Sequence, residues 1–254
     1  MGNATSRVAV RPREFVRVAG PDAEDFLQRM LSNDVVTAPC EALLLTPKAR
    51  VIAPVVVTRR APDDFLLLTE PGLGEVVRTT LSRARFAAKV EIEPEKHRSV
   101  VVFGAEGDGI PNAEYGEPAA ELLDAELEPT LSSEELERLR IEAGRPLWGK
   151  EIDDSILPAE AGLDESHVSF TKGCYPGQEP IARLRHRGKV NRRVRKLEVD
   201  SAEPGEELRY EGKVVGRVTS AADGRALGFV RVEVPDNAEL EVGPEEKTGR
   251  LVGP

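Results

Sequence analysis

The run Lys172-Gly173-Cys174-Tyr175-Pro176-Gly177-Gln178-Glu179 sets a thiol beside a phenol ring, an ammonium, a carboxamide and a carboxylate. A basic stretch follows, with Arg183, Arg185, His186, Arg187, Lys189, Arg192, Arg193, Arg195 and Lys196 and no acid between Pro180 and Leu197. Positive surroundings favour the thiolate, the form of cysteine that attacks electrophiles and binds metals. Two readings of Cys174 stand on the residues alone. It is a reactive thiol activated by Lys172 and the basic run, or it is a small buried hydrophobe in a structural turn. Gly173 and Gly177 let the backbone bend closely around either. Gln178 can orient a ligand or a partner peptide, and Glu179 can neutralise Arg183.

The other chemistry-bearing residues are scattered. Cys40, after Pro39, reads as a packing residue. Two cysteines are too few for a disulfide framework, and without a C-x-x-C they do not hold an iron–sulfur cluster within one chain. A cluster bridged between two chains through Cys174 needs further ligands. His97, His167 and His186 show no metal-ligand spacing, so no metal site is expected. Trp148, the sole tryptophan, either fills the core or stacks on a planar ligand.

A chain of 254 residues suits one large domain or two modest ones. A net charge of −10 argues against general nucleic-acid binding, which calls for a basic face. No apolar run approaches the roughly 18 residues of a membrane span, so no membrane is expected. The stretch Met1 to Arg7 has no apolar core of a secretory signal, and its Gly2 and Ser6 fit a loose myristoylation pattern that we read as chance. A reducing cytoplasm is the expected location.

The positioning elements begin as strand then helix. Phe15 to Val18 alternates, and a helix follows from about Asp22 to Leu31, with Phe26, Leu27, Met30 and Leu31 on one face. Ala42 to Thr46 and Val51 to Thr58 form a hairpin in which Pro54 demands an edge or a bulge. Phe65 to Thr69 is a strand, and Val76, Val77, Thr80, Leu81 and Ala84 repeat at helical spacing. Val90 to Ile92 and Val100 to Phe103 add strands, and Gly104 to Pro118 reads as a loop. Ser132 and Glu135 make a capping box for a helix ending at Gly144. After about Lys189 come short strands at 190–199, 207–210, 214–219, 227–234 and 239–242, a small antiparallel barrel or sandwich.

The run Lys172 to Glu179 resembles the K-G-C-[FY]-x-G-Q-E signature of the folate-binding proteins related to YgfZ. These are bacterial relatives of the mitochondrial iron–sulfur assembly factor IBA57 and of the glycine-cleavage T-protein. The likeness continues through Ile181 to Leu184 and Arg187-Gly188. It extends to Arg140 to Pro146, Leu157 to Leu163, and the opening Phe26-Leu27-Gln28 with Leu31 to Asp34.

The resemblance implies an α+β fold in which two associated portions form a folate-binding cleft. That region is expected at 1–189, with about 43–127 inserted in it, followed by a β-barrel at 190–254. It also implies tetrahydrofolate or a derivative as cofactor and reduced folate as ligand. Glu142 matches the pterin-recognising glutamate, whose carboxylate can accept paired hydrogen bonds from the ring edge; its alternative is a solvated helix-end charge. Glu160 and Arg183 join it as folate contacts, Glu160 with a loop ion pair as its other reading. Cys174 is placed at the cleft's edge as the catalytic candidate.

One departure bears on the reaction. Aminomethyltransferases carry an aspartate at the start of the strand that here reads Ala53-Pro54, and neither residue can handle a proton. The leading expectation is therefore a tetrahydrofolate-binding accessory factor for iron–sulfur cluster assembly or repair, with iron–sulfur clients or assembly factors as partners. The alternatives are a folate-dependent one-carbon transferase or demethylase, and a non-catalytic adaptor that has lost folate binding. The basic stretch has four readings: a solvated face, a seat for a folate polyglutamate tail, a hold on an acidic partner and, more weakly for want of interleaved aromatics, an RNA contact.

Overall fold

The structure, a computed structural model, describes residues 7–104, 109–244 and 247–252, so the Gly2 and Ser6 pattern lies outside the described residues. After β1 (Val8–Val10), five strands form one antiparallel sheet: β2 (Glu14–Ala19), β3 (Cys40–Leu45), β4 (Val51–Ala61), β5 (Asp64–Thr69) and β6 (Glu91–Glu95), in the order β3-β4-β5-β2-β6. Side chains alternate across a strand, so each face needs a cover. Val16, Val18, Phe65 and Leu67 face α1 (Ala23–Met30) and α2 (Gly74–Ala84), which supply Phe26, Leu27, Val77 and Leu81. Phe15, Leu66 and Leu68 face the other way and meet Ile110 of a second sheet. Burial on both sides explains the uninterrupted apolar run in β5.

The second sheet joins β1 to β7 (Ser99–Phe103), β8 (Ile110–Asn112) and β9 (Ala119–Leu123), in the order β1-β7-β9-β8. Because β1 pairs directly with β7, Ala9 opposite Val101, the whole stretch 14–95 is an excursion from this second sheet. The expected insertion at 43–127 does not follow these lines: it splits β2 from β3 of one sheet and takes β7 away from β1 of the other. β8 also interrupts the segment expected to be loop between Gly104 and Pro118.

Pro54 sits in a central strand rather than at an edge. The β4–β5 ladder begins at Val55, opposite Thr69, so Pro54 lies one residue beyond it and its missing N–H breaks no bond there. Its carbonyl accepts from Thr69 Oγ1 at 2.8 Å.

α3 (Ser133–Ala143) has both halves of its capping box, Ser132 Oγ accepting from Glu135 N and Glu135 Oε2 from Ser132 N, and it stops at Gly144 with φ 73°. Its Leu136 and Leu139 pack on Ala9, Val101 and Phe103. α4 (Gln178–Arg187) has no counterpart in the sequence reading. Pro180 is its third residue, inside the first turn, where amides lack an intrahelical acceptor anyway.

The last six strands, β10 (Arg192–Val199), β11 (Glu207–Tyr210), β12 (Lys213–Ala222), β13 (Arg225–Arg231), β14 (Glu239–Val242) and β15 (Lys247–Val252), close into an antiparallel barrel. β15 is the strand the sequence reading lacks, and it closes the barrel by pairing Leu251 with Leu197. Closure leaves no strand edge open to a foreign chain. The barrel is tied to α3 by a buried network in which Glu151 Oε1 accepts from Thr219 and Ser220, each at 2.6 Å, while Arg140 bonds Glu151 at 3.0 Å and Ser220 at 2.7 Å. No helix among the described residues is long and apolar enough to cross a membrane.

Candidate functional site

The signature loop is held from inside and displays its thiol outside. Lys172 Nζ donates to the carbonyls of Leu31 at 2.8 Å and Asn33 at 2.6 Å. Tyr175 is buried with Leu43, Leu45 and Ile181, and burial pushes its phenol up to about 12. Gly177, with φ 85°, starts α4; a Cβ there falls 2.8 Å from the Thr46 carbonyl, which restricts the position to glycine. Between these anchors Cys174 is exposed and unpaired with Cys40. The turn with a buried cysteine is thereby excluded.

Lys172 is not the activating neighbour expected for Cys174. Its ammonium points toward the half-buried Cys40, where burial pushes the lysine down to about 8 against the pull of Asp34 and Cys40. Burial likewise pushes the Cys40 thiol up to about 11, with Lys172 only partly offsetting it. Cys40 is thus held as the unreactive thiol of the pair.

Glu142, Glu160 and Arg183 are not gathered around one ligand site. The inward face of α3 belongs to Leu136, Leu139 and Arg140, which leaves Glu142 exposed in an i,i+4 pair with Arg138 at 3.0 Å. Glu160 accepts from Leu157 N at 2.8 Å and from Arg192 Nε at 3.0 Å, the geometry of a loop ion pair that also reaches β10. Arg183 is exposed on α4 and paired with Glu179 at 2.7 Å. Gln178 opens α4 at its first position.

A different set of charges converges on a central cavity beneath Pro54, Leu68 and Trp148. Its polar wall holds Arg13, Glu41, Glu70, Glu114, Arg145 and His167, around about 40 Å³ of free space. Glu41 takes both its hydrogen bonds from Arg145, at 2.7 and 2.9 Å. Glu114 is gripped by Arg13 at 2.6 Å and Arg11 at 2.8 Å. Desolvation works against its charge, but Arg13 and Arg11 prevail and hold the carboxyl far below the usual range. Arg13 also bonds Glu70 and Glu121, each at 3.0 Å. Burial disfavours the charged form of His167, so the wall carries three carboxylates against two guanidiniums.

Sequence reasoning missed this wall because its ion pairs join residues far apart in the chain. The only local signal is Arg11-Pro12-Arg13, whose two-residue spacing puts both guanidiniums on one face of an extended segment. Of the pair expected to stand where aminomethyltransferases carry an aspartate, Ala53 is buried in the core and Pro54 lines the cavity.

A second concavity of about 1290 Å³ runs between α4 and the barrel, with Arg145 at the junction of the two. Its rim is dominated by the basic residues of α4 and β10.

Residues 191–252 match the family model described as the CAF17 C-terminal beta-barrel domain. The "iron-sulfur cluster assembly factor IBA57 homolog, mitochondrial" of Pyricularia oryzae is 24% identical, over 73% of this chain and 55% of that protein. The "tRNA-modifying protein YgfZ" of Pectobacterium atrosepticum is 26% identical, over 75% of this chain and 69% of that protein. The chain thus spans little more than half of the former. The crystal structure of the glycine cleavage system aminomethyltransferase T from Bartonella henselae superposes with a TM-score of 0.82 at 19% identity, covering 98% of this chain and 85% of that one. At that identity the likeness is one of fold.

Proposed function

Because the chain belongs to the family that groups YgfZ, IBA57 and the GcvT-like aminomethyltransferases, we propose that it is a reduced-folate-binding accessory factor for iron–sulfur proteins. The observation that carries this reading is the central cavity: buried and half-buried carboxylates in excess over cations, with a planar indole alongside. A pterin edge presents an amino group and a ring N–H, both donors, and Glu114 or Glu41 has lone pairs to accept them. Trp148, Leu68 and Pro54 supply the apolar walls that such ligands take. The carboxylate acceptors suit the ring's donors; the free space of about 40 Å³ is smaller than the ring, so binding requires the wall to open.

When bound, a reduced folate supplies one-carbon or reducing chemistry. The chain's own residues bind and orient it. Glu114, fixed as an anion by two arginines, is an acceptor and a poor proton donor. At Ala53-Pro54 the cavity has no carboxylate where the resemblance to aminomethyltransferases calls for one, which favours accessory work. In this reading Cys174, displayed on the surface, meets the client or a cluster intermediate. An exposed, unpaired cysteine also suits the reducing cytoplasm, where we place the protein.

The test is a titration with a reduced folate followed by the emission of the single tryptophan, Trp148, on wild type and Glu114→Gln. Saturable quenching that weakens at least about tenfold in the variant supports the reading, as expected for loss of a charge-assisted pairing. No saturable response in the wild type removes it.

A further inference from the structure

The groove between α4 and the barrel is strongly basic in an otherwise acidic protein. Eight basic residues line it against three acids, Asp164, Glu165 and Asp236, and Asp236 is already paired with Arg195 at 2.8 Å. Among the described residues the side chains of Arg187, Lys189, Arg193 and Lys196 have no ion-pair or hydrogen-bond partner, in contrast to every arginine of the central cavity. Like charges crowded without counter-ions repel one another, and an anionic occupant relieves that cost.

The floor narrows the choice of anion. Leu157, Leu184, Val194 and Val232 line it, and Val232 is 40% exposed. A phosphodiester chain has no apolar side chains to bury there. Single-stranded nucleic acid also uses aromatic platforms, and no lining residue is aromatic. The nearby ring of Phe170 is already covered by the Arg185 guanidinium, 3.7 Å from its centroid. A volume of about 1290 Å³ exceeds the roughly 300–1,000 Å³ of small-ligand pockets, which disfavours a folate tail as the main occupant.

We propose that this groove is the docking site for an acidic, amphipathic protein segment. Its carboxylates pair with Arg187, Lys189, Arg193 and Lys196 while its apolar side chains settle on Leu184, Val194 and Val232. This is the helix-in-groove mode with a charged rim, in which the rim sets partner choice and encounter rate and the floor slows release. α4 begins directly after the signature loop, so a segment seated along it comes from a partner close to Cys174. The assignment goes beyond the folate reading and stands whether or not folate binds.

Fluorescence anisotropy tests it with four labelled probes: a helical peptide of glutamates and leucines, the same peptide with leucines changed to serine, a poly-γ-glutamyl peptide, and a single-stranded RNA of equal charge. The first should bind at least about tenfold tighter than the others and lose about tenfold in R187E/K189E/R193E. Val232→Ser should weaken it by a smaller factor. The three reversed residues are exposed, so melting should match wild type; R187Q/K189Q, which adds no repulsion, serves if it does not. Tighter binding of the RNA or the poly-glutamyl probe overturns the proposal. So does equal binding of the serine peptide, no binding of the leucine peptide, or self-association of the wild type that the same reversal abolishes.

Discussion

Two charged regions lie side by side, meeting at Arg145, and they obey opposite rules. In the central cavity every guanidinium is matched: Arg11, Arg13 and Arg145 share Glu41, Glu70, Glu114 and Glu121 among them. In the outer groove four basic residues have no partner among the described residues. The difference follows from solvent. A buried ion must be paired or pay several kcal/mol, whereas an exposed one is screened and can wait for a partner. Paired charges therefore hold a wall together until a ligand competes for them, and unpaired ones advertise a site to be filled.

The sharpest way to break the comparison is to remove one charge from each region. Arg13→Ala leaves the buried Glu121 without a guanidinium and Glu70 and Glu114 with Arg11 alone, and should cost about 3–5 kcal/mol in denaturant unfolding. Arg187→Ala should stay within about 0.5 kcal/mol. Equal costs would contradict the contrast.

The thiols offer a second, local version. Native protein treated with iodoacetamide should take one label, on Cys174, with Cys40 reacting only after unfolding; mass spectrometry of the labelled peptides decides it. Prior labelling of Cys40 would contradict the inward role given to Lys172. Cys174→Ala should in turn lower client activation at least about tenfold while leaving the melting temperature unchanged. Unchanged client activity would remove Cys174 from the function.

The smallest effect is expected at His97, a paired charge outside both regions. Burial opposes its charge, but hydrogen bonds to Asp124 at 2.6 Å and Glu95 at 2.8 Å outweigh it and raise the ring above its ordinary 6.5. Its stabilisation is therefore complete below that value and fades as pH rises through the raised folded one. The melting-temperature gap between wild type and His97→Gln should be widest below pH 6.5 and shrink as pH rises above it. A gap that widens with pH would reverse the assignment.

What was legible in the sequence was what is local. The capping box of α3, the alternation of β2, the apolar run of β5 and the short strands of the barrel are each written in residues a few positions apart. α4 was hidden by Pro180, which reads as a breaker unless its place in the first turn is known. β15 was hidden because its role is closure with β10, some fifty residues away. The signature run located the surface thiol, yet the cavity wall could not be read, since Arg13 finds Glu114 and Glu121 only through the pairing of two sheets. Glu142 shows the same limit from the other side: a motif names a residue, while the helix face decides where it points.

The central claim is that the matched cavity, and not the unmatched groove, receives the folate. Calorimetric titration of a reduced folate into wild type, Glu114→Gln and R187E/K189E/R193E tests it in one experiment, with melting curves to verify that each protein is folded. The account predicts affinity weakened at least about tenfold in Glu114→Gln and changed less than about twofold in the groove variant. Affinity lost in the groove variant and kept in Glu114→Gln would contradict it.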